Sequence, residues 1–121
     1  MEHVTEEPAL DIEVADLARI PGTGGVVWSA APAGCHVNLV VLEPGRSIAA
    51  HRNDVVDVQV VVVAGTGTAH VADEVVPLAA MTTLTIPRGA TRRLDAGDGG
   101  MRYLTIHAER SPLTIGSVRD V

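Results

Sequence analysis

The sequence contains no phenylalanine and no lysine, and it has one tryptophan, one tyrosine and one cysteine. The single cysteine, Cys35, excludes an internal disulfide. No uninterrupted apolar run approaches the roughly 18 residues of a membrane-spanning helix, so no membrane partner is expected. The net charge is −6 and the nine basic residues form no dense cluster, so no nucleic-acid partner is expected. The acidic start, MEHVTEEPALDIE, lacks a signal-peptide pattern, which predicts a cytoplasmic protein.

Aliphatic residues are what the sequence has in abundance, and valine is the commonest residue. Hydrophobic residues fill 46% of the 121 positions, enough for one core, and the length fits a single domain. Because β-branched side chains favour strands, this composition indicates a β-rich fold. We expect a flexible N-terminus over residues 1–9 and a single domain over residues 10–121.

Short apolar runs separated by Gly- and Pro-rich turns follow one another along most of the chain. This spacing is typical of an all-β barrel or sandwich, and no segment shows a convincing helical period. The glycine-rich stretches at 65–67 and 97–100 are expected to end strands, and the tail after residue 110 is ambiguous. The candidate strands cover residues 25–31, 35–43, 47–53, 56–65, 68–73, 74–78, 81–87, 90–96 and 101–109.

The run from Val58 to Val63 has Gln59 as its only polar residue. Alternate side chains of a strand point to opposite faces, so a strand this apolar must be covered on both sides. One cover would be the barrel interior, and the other would be a second sheet or a partner chain. We therefore predict a homodimer.

Two spacings in the middle of the chain match known motifs. Gly45, five intervening residues and His51 fit the start of Gly-x5-His-x-His-x3–4-Glu-x6-Gly, and Gly65 fits its closing glycine. The turn at 87–89 fits the Pro-x-Gly of Gly-x5-Pro-x-Gly-x2-His-x3-Asn. On these motifs, which span roughly residues 35–107, the chain resembles the cupin superfamily. The resemblance implies an all-β fold, a cupin-type double-stranded β-helix (jelly-roll) barrel.

Metal-binding members of that superfamily bring three His and one Glu together inside the barrel, and most of these residues are replaced here. The second His position holds Asn53, and the third holds Arg92, whose guanidinium cannot bind a metal. The Glu position falls on Val58 when counted back from the closing glycine, or on Asp57 when counted forward from Asn53, and we favour Asp57 at the pocket mouth. His51 and Asp57 would be the ligands if a divalent transition metal bound. Two ligands are too few for tight binding, so no cofactor is expected.

Arg92 is the most informative of these changes, because the second motif points its position into the barrel. A buried guanidinium is costly unless it meets a partner. That partner would be Asp57, in a bridge that replaces the metal, or the carboxylate or phosphate of a ligand. A slip of one residue that turns Arg93 inward instead is a further alternative.

Other polar residues complete the candidate pocket. His51 and Asn53 are expected to anchor a ligand, and His51 is also a candidate general base. His107 shares a strand face with Tyr103, and both would enter the cavity if that face is internal. His36 is a further candidate for the pocket wall. Metal-free sugar epimerases of the superfamily use a His and a Tyr as base and acid, which supports an isomerase only by analogy.

Three functional hypotheses follow from these residues. The first is a binding protein for a small acidic metabolite, without the standard metal centre and with Arg92 as an anion clamp. The second is an enzyme, a metal-dependent dioxygenase or an isomerase, with His51 as the catalytic residue. The third is a structural or interaction barrel plugged by its own side chains. The candidate ligand-binding residues are His51, Asn53, Asp57, Arg92, His36, Tyr103 and His107.

Overall fold

The structure is a computed structural model that describes residues 10–109. Its regular elements over this range are all strands, as the short apolar runs predicted. The segments 1–9 and 110–121, which include the expected flexible start and the ambiguous tail, lie outside the described residues. No helix in the described range could span a membrane. The strands are β1 Gly25–Ala30, β2 Cys35–Leu42, β3 Ser47–Arg52, β4 Val58–Val71, β5 Glu74–Ala79, β6 Thr83–Ile86 and β7 Thr91–Ala108.

The long strands β4 and β7 run through both layers of the barrel. The first part of β4 pairs with β6 and with the end of β7, which also pairs with β2. The second part of β4 pairs with β5 and with the start of β7, which also pairs with β3. The first layer therefore has the order β1-β2-β7-β4-β6, and the second has the order β3-β7-β4-β5. Buried side chains from both layers form one hydrophobic cluster, so the layers pack face to face.

The sequence-based prediction that the glycine-rich stretches end strands was wrong. Residues 65–67 lie inside β4, and residues 97–100 lie inside β7. The β4–β7 register shifts at this level, and Gly65 and Gly100 have φ angles of 84° and 82°, which glycine adopts without strain. The glycines bend the paired strands from one layer into the other instead of ending them.

The interior face of β4 is aliphatic and dry. Val58, Val60 and Val62 are 3%, 1% and 0% exposed, whereas the alternating Gln59 and Val61 are half-buried on the other face. The expected apolar interior of this strand is confirmed. The two motif counts assigned the Glu position of the first motif to either Val58 or Asp57. Of the two, Val58 is the residue that points inward.

The outer face of the first layer is also partly covered. Trp28 pairs with Leu39 on this side, and Leu39 is 0% exposed. Arg102 donates hydrogen bonds from Nε to the carbonyl of Leu17 (3.0 Å) and from Nη2 to the carbonyl of Ile20 (2.7 Å). These bonds hold the segment before β1 against the layer. Further half-buried aliphatic residues on the same face are Val37, Val61, Val63, Leu104 and Ile106.

Candidate functional site

A cavity of about 260 Å³ lies between the two layers. Both layers contribute to its wall, because the wall includes inward-facing side chains from β2, β3, β4, β6 and β7. Most of the wall is aliphatic, so a group bound inside would be largely desolvated. The main apolar residues of the wall are Val40, Ile48, Val58, Val60, Ile86 and Leu94.

A minority of the wall is polar, and these groups determine what the cavity can bind. They come from β3, from the loop that follows it, and from both halves of β7. The described residues of the wall include no Asp and no Glu. The polar residues of the wall are His51, Asn53, Arg92, Tyr103, Thr105 and His107.

Arg92 is buried in this wall, with 7% of its surface exposed. It lies on β7 opposite His51 of β3. Within residues 10–109, its buried Nη1 atom has no hydrogen-bond partner. Burial lowers the pKa of Arg92, and the neighbouring Tyr103 phenol partly opposes that shift. Arginine nevertheless stays charged at neutral pH, and none of the residues described around the cavity supplies a counter-charge.

Asp57 does not reach Arg92, and the predicted bridge between them is wrong. The Asp57 side chain is exposed, and its Oδ1 accepts a 2.8 Å hydrogen bond from the backbone N–H of Arg88. The Arg88 Nε lies 4.0 Å from the same oxygen. Asp57 therefore fastens the β6–β7 turn on the outside. Because β4 is regular from Val58 onward, the count back from the closing glycine gives the correct register, and Asp57 leaves both the candidate ligand-binding set and the candidate metal set.

His51, which is exposed, and the half-buried Asn53 both line the cavity. The Nδ1 atom of His51 is 3.2 Å from the carbonyl oxygen of Ala49. The Oδ1 atom of Asn53 accepts hydrogen bonds from the backbone N–H groups of Val55 (2.8 Å) and Val56 (3.1 Å). The Asn53 oxygen is therefore committed to the turn after β3, which leaves its Nδ2 as the group free to face a ligand.

Tyr103, Thr105 and His107 alternate along β7 and all line the cavity. Tyr103 is 3% exposed, and burial raises the pKa of its phenol to about 12, although the charge of Arg92 acts in the opposite direction. The phenol is therefore neutral and able to donate a hydrogen bond. Sequence reasoning proposed Tyr103 and His107 but left out Thr105, which the same two-residue alternation would have supplied.

His36 lies outside the main cavity, contrary to its predicted place in the pocket wall. Its ring stacks on that of His107, with ring centroids 5.3 Å apart. Together with Asn38 and Glu109, the two histidines line a second, shallower hollow. Alternation along β2 places His36 on the inward side, but its position near the end of the strand leaves it beyond the enclosed space.

The residues present do not fit the metal centre that the fold family implies. At the four motif positions, His51 is a usual ligand, the Asn53 oxygen is occupied by the backbone, Val58 is apolar and Arg92 is cationic. Over residues 10–109, no group of three or more His, Cys, Asp or Glu side chains is placed to hold a metal ion. A divalent cation at this position would meet one imidazole and an adjacent positive charge, which is an unfavourable site.

Asp95 forms a polar cluster on the opposite side of β7, away from the cavity. Its carboxylate accepts two 3.0 Å hydrogen bonds from Arg93 and lies 3.1 Å from Nε2 of His70. A hydrogen bond from Ser47 is the largest of several causes that lower the pKa of Asp95. Since the folded-state pKa lies below the unfolded value, the carboxylate stabilises the fold above the unfolded pKa, and this contribution is lost as pH falls through the folded pKa.

We expect Asp95→Asn to lower the free energy of unfolding by about 1 kcal/mol at pH 7, a modest effect because solvent screens the cluster. The difference from wild type should become smaller as the pH is lowered from 7 to 2.5. Urea unfolding at both pH values measures this difference in the free energy of unfolding. Asp98→Asn, at an exposed position, is the matched control. An Asp95→Asn deficit that is as large at pH 2.5 as at pH 7 would show that the loss is steric rather than electrostatic.

No family model matches the sequence, and neither does any curated protein. Solved structures do match its fold. Protein TT1209 from Thermus thermophilus has a TM-score of 0.72 at 20% identity, over 83% of this chain and 100% of that one. The cupin protein BF4112 from Bacteroides fragilis has a TM-score of 0.61 at 20% identity, over 75% and 79% of the two chains. A cupin-2 domain protein from Shewanella frigidimarina has a TM-score of 0.58 at 20% identity, over 69% and 78%. Together with the strand order and the bent strands, these matches show that the chain has the fold of the cupin superfamily, a jelly-roll barrel.

Proposed function

We propose that this protein binds a small organic anion, an acidic metabolite, in the cavity of its barrel without the standard metal centre. Arg92 would hold the anionic group, and His51 and Asn53 would anchor polar groups beside it. Tyr103, which neighbours Arg92, and His107 would contribute further hydrogen bonds.

The buried Nη1 atom of Arg92 is the observation that carries this proposal. A buried cationic donor without a partner costs free energy, because its lost hydration is not replaced. Proteins retain such groups where function requires them. A ligand carboxylate offers both the missing hydrogen bond and the missing negative charge, and a guanidinium matches its planar geometry.

An enzymatic function is the second candidate. His51 faces the cavity beside Arg92, and the Tyr103 phenol shares the same wall, so an imidazole and a phenol line one cavity. This arrangement supports an isomerase that works without a metal. The plugged barrel has weaker support, because the 260 Å³ cavity is large enough to admit a small molecule.

A homodimer is supported by the half-buried aliphatic residues on the outer face of the first layer, such as Val61 and Leu104. Size-exclusion chromatography with light scattering tests it, and a monomer at micromolar concentration would contradict it. We also propose a cytoplasmic protein that binds neither nucleic acid nor membrane.

Melting curves across a panel of small carboxylic acids test the binding function. Each acid is paired with its neutral amide at the same concentration, so that the size and shape are matched while the negative charge is removed. We expect at least one acid, but not its amide, to raise the melting temperature of the wild-type protein. A panel in which acids and amides act alike would contradict anion binding.

A further inference from the structure

Hydrogen-bond donors and acceptors in the cavity are arranged in a way that narrows the class of ligand. The ring nitrogen Nδ1 of His51 lies 3.2 Å from the Ala49 carbonyl, which can only accept a hydrogen bond. In a neutral ring, this contact places the proton on Nδ1 and leaves a lone pair on Nε2. The buried Arg92 can only donate, so the cavity wall combines a cationic donor with the acceptor atom of His51.

These two groups are direct cross-strand neighbours. Arg92 of β7 pairs with His51 of β3 in the antiparallel register, and both side chains line the cavity. Side chains of such a pair have Cβ atoms roughly 4.5–5.5 Å apart. Because both side chains line the same cavity, a ligand whose carboxylate contacts Arg92 can extend its adjacent carbon towards His51. A hydroxyl on that carbon can donate to the lone pair, whereas a keto oxygen there would oppose it.

The charge of the substituent beside the carboxylate determines whether the cavity favours a hydroxy acid or an amino acid. An ammonium group on the same carbon could also donate to His51, but it would lie beside the guanidinium of Arg92. No carboxylate among the described residues of the wall is available to offset that second positive charge. Two like charges in a desolvated space repel strongly, so a hydroxyl is favoured over an ammonium.

The volume of the cavity and its apolar wall limit the size and the chemical character of the rest of the ligand. The cavity has a volume of about 260 Å³, so it has room only for a small ligand. The aliphatic side chains Val58, Val60 and Ile86, which are buried in the same wall, suit a short branched alkyl group.

We propose that the ligand is a 2-hydroxy monocarboxylic acid with a short aliphatic side chain, an inference that rests on the proposed anion-binding function. The carboxylate contacts Arg92, the 2-hydroxyl donates to Nε2 of His51, and the alkyl group occupies the apolar part of the cavity. The corresponding 2-oxo acid and unsubstituted acid each lose the hydrogen bond to His51, and the 2-amino acid adds a positive charge beside Arg92.

Calorimetric titrations at pH 8 with four compounds of one carbon skeleton test this inference. The probes are 2-hydroxy-4-methylpentanoate (each enantiomer separately), 4-methylpentanoate, 2-oxo-4-methylpentanoate and leucine. Wild type should bind one hydroxy acid enantiomer about three- to tenfold more tightly than 4-methylpentanoate, the range expected for one neutral hydrogen bond. Leucine should bind more weakly than both.

Two variants identify the groups responsible. His51→Phe keeps a ring at this position but removes the acceptor, and it should reduce the hydroxy preference to about onefold while 4-methylpentanoate still binds. His70→Phe removes an imidazole outside the cavity and should leave the preference unchanged. Equal wild-type affinity for the hydroxy and unsubstituted acids, or a preference that survives His51→Phe, would overturn the ligand class but leave anion binding intact. Failure of all the acids to bind, while other acids in the melting panel do, would also overturn the ligand class, whereas failure of the whole panel would overturn the proposed function itself.

Discussion

Arg92→Met is expected to abolish the binding of organic acids and at the same time to raise the free energy of unfolding. In wild type the guanidinium is buried without a counter-charge, and its Nη1 atom has no hydrogen-bond partner among the described residues. An unsatisfied buried donor costs about 1–3 kcal/mol, and more when it is charged. Methionine has a similar length and fills an irregular apolar space well. We therefore expect a gain of about 1–3 kcal/mol, comparable with gains measured when buried charges are replaced by apolar residues.

Arg46→Met is the matched control for this prediction. Arg46 is exposed, and its side chain makes no hydrogen bond or ion pair to the described residues. The control removes the same charge and introduces the same side chain, so it should change neither binding nor stability appreciably. Urea unfolding and calorimetric titration of both variants separate the outcomes. A loss of stability in Arg92→Met would show that the guanidinium has a structural partner, and unchanged acid binding would show that the anion contacts another group.

Gly65→Ala is expected to lower the free energy of unfolding by at least about 3 kcal/mol. Gly65 has a φ of 84°, where a residue with a Cβ is strained by about 1–2 kcal/mol. The added Cβ would also overlap the backbone carbonyl of Gly100 on the paired strand β7. Neither backbone can move away cheaply, because both strands are hydrogen-bonded at the bend between the layers. Since a domain of this size is stable by only about 5–15 kcal/mol, the variant should unfold at a much lower urea concentration.

Gly99→Ala provides the control, because it adds the same methyl group in open space near the same bend. It should change the free energy of unfolding by less than about 0.5 kcal/mol, as surface substitutions usually do. If the free energy of unfolding of Gly65→Ala were within about 1 kcal/mol of the wild-type value, the two strands would have to separate easily at the bend. The account of the glycines as the points where β4 and β7 change layer would then be wrong.

The sequence predicted the fold through turn spacings and alternation, and its errors have physical causes. The spacing of strands and turns indicated an all-β barrel or sandwich, and the cupin-type barrel followed from the resemblance carried by Gly45, His51 and the turn at 87–89. The continuity of β4 through Gly65 was not predictable, because glycine is as common in turns as in strand bends. Only the close approach of two backbones, which belongs to tertiary structure, separates the two cases.

The candidate site was predictable to a similar degree. Alternation placed Tyr103 and His107 on one face, and the second motif pointed Arg92 inward. The choice between Asp57 and Val58 depended on where the loop after Asn53 ends, and one residue of loop length reverses the face of every following side chain. The depth of a side chain along a strand has no sequence signal of this kind, which is why His36 was placed in the cavity.

The most direct test of the account is the guanidinium NMR spectrum of ¹⁵N-arginine-labelled protein, titrated with the acid that gives the largest melting shift. The sequence has nine arginines and no lysine, and the Arg92 signals are identified by their absence from Arg92→Met. The account predicts that the Arg92 signals move in a saturable way while those of Arg46 stay fixed. It is contradicted if the acid binds and the Arg92 signals do not move.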